Sequence, residues 1–492
     1  MREPLKTIRK RPIGRRLSSV VDVHISLAGR SDLAGEIYRQ VRSAILEGRL
    51  RPGDRLPPTR ELARRLRVSR TTTTVAYDRL SGEGLAVARI GAGTFVGQVG
   101  TAPARRRTSS ALHPLPAWGE IPTPSYNWSE AAFDFRPGMP DAGLFPFRTW
   151  RRLAAAQFEA VTVGRGVNDD PAGHAPLRAA IAHHVGLSRG ILATADDVIV
   201  TNGTQQAIDL IARVMLRPGD LVAMEDPGYG PPYLLFRAMG LKPHGVRVDR
   251  EGLVVDEIPP GTRLVYVTPA HQLPLGMTMS WPRRVALLEW ARRHEAAIIE
   301  DDYDSEFRFG GRPVEPLHKI DDSGRVIYVG SFSKTTLATL RLGFIVGPAS
   351  VTPALRGAKF VADWHSPVPL QGALAEFIAA GHFARHVRRM RLVYESRHRL
   401  IGDLLRDRFP QLDVIPSAAG LHIGAVAPDV SVDRIGLVIR RARSVGVALH
   451  PLALFALDRP PSAGLVLGYG AIPTARIEPG MELLHRCLAR PR

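Results

Sequence analysis

A lysine placed among hydroxyls just after an apolar strand pattern can act as an amine toward an aldehyde cofactor. GSFSKTTLATLRLG presents Lys334 in that setting, behind RVIYVG. Ser331, three residues earlier, and Arg341, seven later, can converge on a phosphate, which a guanidinium binds in bidentate fashion while staying charged. IIEDDYDSEF has the pattern of a strand end, where residues two apart share a face. Asp301 and Tyr303 then point one way, and Glu300 and Asp302 the other. A carboxylate against a pyridine nitrogen keeps that nitrogen protonated and makes the ring an electron sink. A tyrosine hydroxyl can hydrogen-bond the ring's 3'-oxygen. The same carboxylates could line a loop mouth or hold a metal, but no His or Cys stands close by in the sequence, so no metal site is expected. VTNGTQQAIDLI reads as strand, glycine turn and helix, with Thr204 and Gln205 able to offer backbone N–H groups to a phosphate. In EDPGYGPPY, Tyr229 lies on a loop, free either to stack on a planar ring or to pack in a core.

The elements that must position these groups alternate. DVIVT, DLVAME, TRLVYVT, AAIIEDD, RVIYVG and LGFIVG are short apolar runs, interspersed with helical stretches such as QQAIDLIARVM and PRRVALLEWARRH. That alternation predicts a mostly parallel sheet with helices on both faces. A long basic amphipathic helix, HFARHVRRMRLVYESRHRLIGDLLRDRF, opens the mixed strands and helices of the C-terminal part.

Together the four segments resemble the fold-type I pyridoxal-phosphate enzymes, the aspartate aminotransferase-like group, from about residue 133 to 490. The resemblance implies pyridoxal 5'-phosphate as cofactor and Lys334 as its Schiff-base lysine. It also implies Asp301 at the pyridine nitrogen, with Asp302 as rival, and Tyr303 at the 3'-oxygen. Ser331, Arg341, Thr204 and Gln205 would hold the phosphate, and Tyr229 would stack on the ring. Three positions depart from that group's pattern. In TPAHQLPLG, Leu273 replaces an asparagine, leaving His271 or Gln272 to supply the polar contact, and the Leu273–Pro274 bond is a candidate cis peptide. Asn168 stands where a tyrosine usually reaches the partner subunit's phosphate. Val466, in GLVLGYG, stands where an arginine clamps the substrate carboxylate, so efficient transamination is not expected unless Arg397 or Arg459 substitutes.

Upstream, SDLAGEIYRQVRSAILEGRL spaces Leu33, Ile37, Val41 and Ile45 one helical turn apart, with Ser31 as N-cap. RLPPTRELARRLRVS gives a short second helix, and Ser69 caps a third, RTTTTVAYDRLSGEG; LAVARIGAGTFV then makes two strands about a Gly91–Gly93 turn. Three helices and a wing describe a winged helix-turn-helix. Ser69, Arg70, Thr71 and Thr72 occupy the exposed helix start, where free N–H groups and short hydroxyls suit phosphate, and Arg70 can reach a guanine edge. The segment LPPTRELARRLRVSRTTTTVAYDRLSGEGL resembles the GntR family of regulators, which implies DNA contacts by Arg60, Ser69, Arg70 and Thr71. Reader and aminotransferase-like part in this order, with the stretches Phe135–Pro146 and Asp170–His183, resemble the MocR subfamily.

Bulk properties agree with that division. Of the net charge of +19, the first 110 residues carry most, with 23 Lys+Arg against 9 Asp+Glu, as a polyanion-binding front end would. The single Cys487 excludes an internal disulfide and suits a reducing cytoplasm. No secretory signal or membrane-spanning run is present. The expected chain is multidomain: a basic tail (1–30), a winged helix-turn-helix (31–97), a Pro/Ser-rich linker (98–132) and an α/β aminotransferase-like domain (133–492). The last comprises a large subdomain to about 365 and a small one from 366. The expected function is a cytoplasmic, homodimeric, ligand-gated transcription regulator that binds double-stranded DNA at two half-sites. It would sense the cofactor itself or a small amine or amino acid, with a working aminotransferase that carries a DNA reader as the alternative.

Overall fold

A computed structural model of the chain describes residues 25–27, 32–89, 91–97, 113–119, 121–122, 131–161, 170–310 and 314–489. Most of the basic tail, most of the linker, Ser31 and Asn168 lie outside the described residues. The chain divides into two units, residues 1–113 and 114–492.

In the first unit, α1 (Leu33–Leu46) buries Ile37, Val41 and Ile45 along one stripe. Its N-cap is Asp32, whose carboxylate accepts from the Gly35 N–H at 2.9 Å. Helix α2 (Thr59–Leu66) buries Leu62, and α3 (Arg70–Gly82) buries Ala76, Tyr77 and Leu80 against the same core. Two side chains lock the turn between them: the Thr73 hydroxyl donates to the Thr59 carbonyl at 3.0 Å, and the Tyr77 hydroxyl to the Pro57 carbonyl at 2.9 Å. Strands β1 (Ala86–Arg89) and β2 (Gly93–Val96) pair antiparallel as the wing, with Gly91 (φ 74°) and Gly93 (φ 108°) in the left-handed backbone that closes so tight a turn.

The second unit opens with a one-turn helix, α4 (Pro116–Gly119), inside the stretch expected to be structureless, and a short strand, β3 (Phe133–Asp134). Helices α5 (Phe147–Val161) and α6 (Ala175–Arg189) lead into the alternation. It runs β4 (Val198–Thr201), α7 (Thr204–Met215), β5 (Leu221–Asp226), α8 (Gly230–Ala238), β6 (Lys242–Asp249), β7 (Gly252–Leu253), β8 (Thr262–Val267), α9 (Trp281–Arg293), β9 (Ala297–Asp302), α10 (Leu317–Ile320), β10 (Val326–Ser331) and β11 (Gly343–Val346). These strands form one sheet in the order β4-β11-β10-β9-β8-β5-β6-β7, with β5, β6, β8, β9 and β10 parallel and β11 antiparallel between β4 and β10. Helices pack on both faces, so strands such as β4 and β9 are buried along their whole length; β4 reads as an almost continuous apolar run, while β9 ends in the three buried carboxylates Glu300, Asp301 and Asp302.

Helices α11 (Thr352–Asp363), α12 (Val368–Ala379) and the 27-residue α13 (His382–Arg408) then lead to a smaller subdomain. It holds β12 (Asp413–Val414), β13 (His422–Val426), α14 (Val432–Ser444), β14 (Val447–Ala448), β15 (His450–Pro451), β16 (Gly464–Gly468) and α15 (Thr474–Ala489), with the sheet order β12-β13-β16-β15. Strand β3 pairs with β14, and Phe135 is buried in the small subdomain's core. Residues 133–135 therefore build on the small subdomain, within a stretch, 133–365, expected to belong mostly to the large one. Strand pairing over a long sequence separation carries no local signal.

Candidate functional site

Lys334 lies three residues beyond β10. Its side chain keeps some surface exposure, but the amine is ringed by protein and donates to the Gly138 carbonyl at 2.7 Å. Burial lowers its pKa against the pull of Asp304 and Asp301, which favours the uncharged, nucleophilic form. Parallel pairing sets Asp301 beside Val329 and Asp302 beside Gly330, so the ends of β9 and β10 deliver carboxylates and lysine to one edge of the sheet.

The two neighbouring aspartates part ways. Asp302 turns to the opposite face, where burial would raise it but Arg189, at 2.7 Å, together with Tyr328 and Ser305, holds it low. Asp301 is buried with one oxygen accepting from the Tyr266 hydroxyl at 2.6 Å and the other, Oδ1, without a partner. Burial pushes its pKa up to about 7. A buried carboxylate oxygen left open asks for an N–H donor, preferably cationic, which is what a protonated pyridine nitrogen offers. Tyr229, the residue before α8, lies near enough to Tyr266 to help raise its phenol pKa.

Arg341 packs against the turn where β4 leads into α7. Gly203 there has φ 81°, and a Cβ on it would stand 2.7 Å from an Arg341 nitrogen. Arg341 donates to the Asn202 carbonyl at 3.2 Å. Thr204 and Gln205 open α7, and the side-chain oxygen of Gln205 is buried without a partner. Ser331 pairs with Gly343, whose own Cβ would press on the Gly203 backbone, and its hydroxyl accepts from the Ser333 N–H. The structure thus gathers Lys334, Asp301, Ser331, Arg341, Thr204 and Gln205 at one end of the sheet.

Tyr303 and His271 are engaged differently from the expectation. The Tyr303 hydroxyl donates to the His271 carbonyl at 2.7 Å, and the His271 ring is bound to Asp304 at 3.0 Å. Gln272 closes the loop instead, bonding the Pro227 and Leu273 carbonyls and the Leu275 N–H around the cis Leu273–Pro274 bond. The premise that no histidine stands near the carboxylates also needs correction: the fold brings His271 and His422 to Asp304. Val466 is fully buried among Leu275, Met277 and Leu452. Arg397 is buried and committed to Asp141, the Tyr469 and Gly470 carbonyls and Thr474, while Arg459 pairs with Glu257. Of the residues the sequence reading did not single out, Asp304 lies within IIEDDYDSEF, Gly138 within the stretch Phe135–Pro146 and Tyr266 within the run TRLVYVT, and His422 begins β13; no local signal marks their part in the site.

In the first unit, Arg60, Ser69, Arg70 and Thr71 are exposed or half-buried near the start of α2 and α3. The Ser69 hydroxyl accepts from the Thr72 N–H at 3.0 Å and shares a hydrogen bond with the Thr72 hydroxyl. That N–H is therefore spent on capping. On the wing, Arg89 lies over the Phe95 ring at 4.8 Å.

Residues 33–96 match the gntR family of bacterial regulatory proteins, and residues 139–426 match the aminotransferase class I and II family. The probable rhizopine catabolism regulatory protein MocR of Rhizobium meliloti is 36% identical, over 91% of this chain and 92% of its own. The HTH-type transcriptional regulator TauR of Rhodobacter capsulatus is 33% identical, over 94% and 97%. Among solved structures, the kynurenine aminotransferase of Pyrococcus horikoshii in complex with PMP superposes with a TM-score of 0.67 at 27% identity, covering 73% of this chain and 91% of that one.

Proposed function

The chain belongs to the MocR subfamily of GntR-type, HTH-type transcriptional regulators, with an aminotransferase class I and II domain behind the reader, and from that premise we propose that the second unit holds pyridoxal 5'-phosphate on Lys334 as a sensor. The observation that carries this reading is the unpartnered Asp301 oxygen beside a buried lysine of lowered pKa. When bound, the cofactor supplies an aldehyde that accepts a primary amine and a cationic ring nitrogen. The chain's residues do the rest. Lys334 would offer its amine; Asp301, oriented by Tyr266, would accept from the ring nitrogen; Arg341, Ser331 and the start of α7 would bind the phosphate; and Tyr229 would stack on the ring. Tyr303 and His271 line the same region.

A small amine, or the cofactor itself, acts as effector by favouring one arrangement of the readers over another, since a ligand moves an equilibrium only by its differential affinity. The readers act as a pair in a cytoplasmic homodimer on double-stranded DNA with two half-sites, with Arg60, Ser69, Arg70 and Thr71 at the phosphates and base edges and the Thr72 hydroxyl beside them.

Borohydride trapping followed by peptide mass spectrometry tests the premise. With saturating pyridoxal 5'-phosphate, the wild type is expected to carry one reduced adduct, on Lys334, and Lys334→Ala none. An unmodified Lys334 peptide in the wild type would overturn the sensor reading.

A further inference from the structure

Beyond the cofactor reading, a second cluster borders the same site and stands between the two subdomains of unit 2. His271 follows β8, Asp304 follows β9, and His422 begins β13 of the small subdomain. All three are buried, with exposures of 2%, 1% and 0%. A ligating atom from each falls within 4.8 Å of the others. The His271 ring nitrogen Nδ1 is 3.0 Å from the Asp304 carboxylate, and the two imidazoles lie 4.5 Å apart, centre to centre. Gly420 makes room for this: a Cβ there would stand 1.9 Å from the His271 ring.

Packing leaves His422 unexplained. Neither ring nitrogen has a hydrogen-bond partner of acceptable geometry, although the Pro274 carbonyl lies to one side. A buried imidazole that makes no bond is costly and rare. The arrangement matches metal-site practice, in which a ligating histidine turns its second nitrogen toward a backbone carbonyl or a polar side chain. His271 has such an outer partner as well, the Ser417 hydroxyl at 3.4 Å from Nε2.

We propose that His271, Asp304 and His422 form a binding site for a divalent transition ion that joins the large subdomain to the small one. Two imidazoles and a carboxylate suit Zn²⁺, Co²⁺ or Ni²⁺ rather than Mg²⁺ or Ca²⁺.

The test uses the full chain, cleared of metal by chelator and of vitamer, then dialysed against Co²⁺. Wild type and Lys334→Ala should each retain one equivalent of cobalt with visible ligand-field absorption. His422→Gln and Asp304→Asn should lose that equivalent while still melting cooperatively. Cobalt-edge X-ray absorption of the wild type, which needs no variant to fold, should show two imidazole ligands. Uptake below one equivalent, a His422→Gln protein that keeps the absorption, or an edge spectrum without imidazole scattering would each overturn the site.

Discussion

Asp301 carries a titration that reaches beyond its contacts. Burial raises it to about 7, whereas an aspartate in the unfolded chain titrates at about 4. Between those values the native, cofactor-free protein keeps a proton that the unfolded chain has released. Stability contributed by this group is therefore full below the window, declines as pH rises through it, and levels off above. Asp301→Asn has no such proton to lose, so its melting temperature should gain on the wild type from about pH 4 to pH 7; parallel curves would exclude the assignment. Glu300, also raised to about 7 by burial, acts alike in both proteins, whereas Glu225, raised to about 7 by burial and in part by the Asp301 charge, loses some of its shift in the variant, which adds to the difference in the same direction. Strand parity sufficed to separate Asp301 from Asp302, because alternation is a local property. The partners were not legible: Tyr266 is 35 residues from Asp301, and His271 is 33 from Asp304, so only the sheet brings them together.

At the level of elements, the turn between α2 and α3 sets two local rules against each other. Ser69 obeys one, supplying the oxygen that caps α3. Arg67 breaks the other: it ends α2 with φ 54°, a left-handed backbone that suits glycine. Ser69→Ala should destabilise the first unit by ~1 kcal/mol, and Arg67→Gly should stabilise it by a similar amount, ~1 kcal/mol, through relief of the left-handed penalty. For a unit of this size each change is worth roughly 4–8 °C in melting temperature, measured by circular dichroism on residues 1–113; two shifts of the same sign would refute the argument. The helices and wing were readable because caps, glycines and apolar stripes are short-range signals. So were the six apolar runs, all of which are strands of the large sheet. The strand Lys242–Asp249 was not, since its buried and exposed positions follow no clean alternation.

For the whole molecule, the division into two units predicts two calorimetric transitions. Pyridoxal 5'-phosphate should raise only the one belonging to unit 2, by about 2.7 kcal/mol at a hundredfold excess over Kd. A single transition, or a ligand-induced rise in both, would contradict it. The order of domains was legible because basic composition and motif sets change along the chain. The boundary within unit 2 was not, because β3 pairs with a single strand, β14, more than 300 residues further along the chain. Strand β3 follows α4 in the second unit. Just beyond it, the Arg136 carbonyl abuts Gly468 of β16, and the Gly138 carbonyl receives the Lys334 amine. Any occupant that claims this nitrogen strips the Gly138 carbonyl of its donor. The backbone that leads out of β3 is thus held, within five residues, by the same nitrogen that a vitamer or an amine would have to take, so filling the site loosens the seam between β3 and the rest of the second unit.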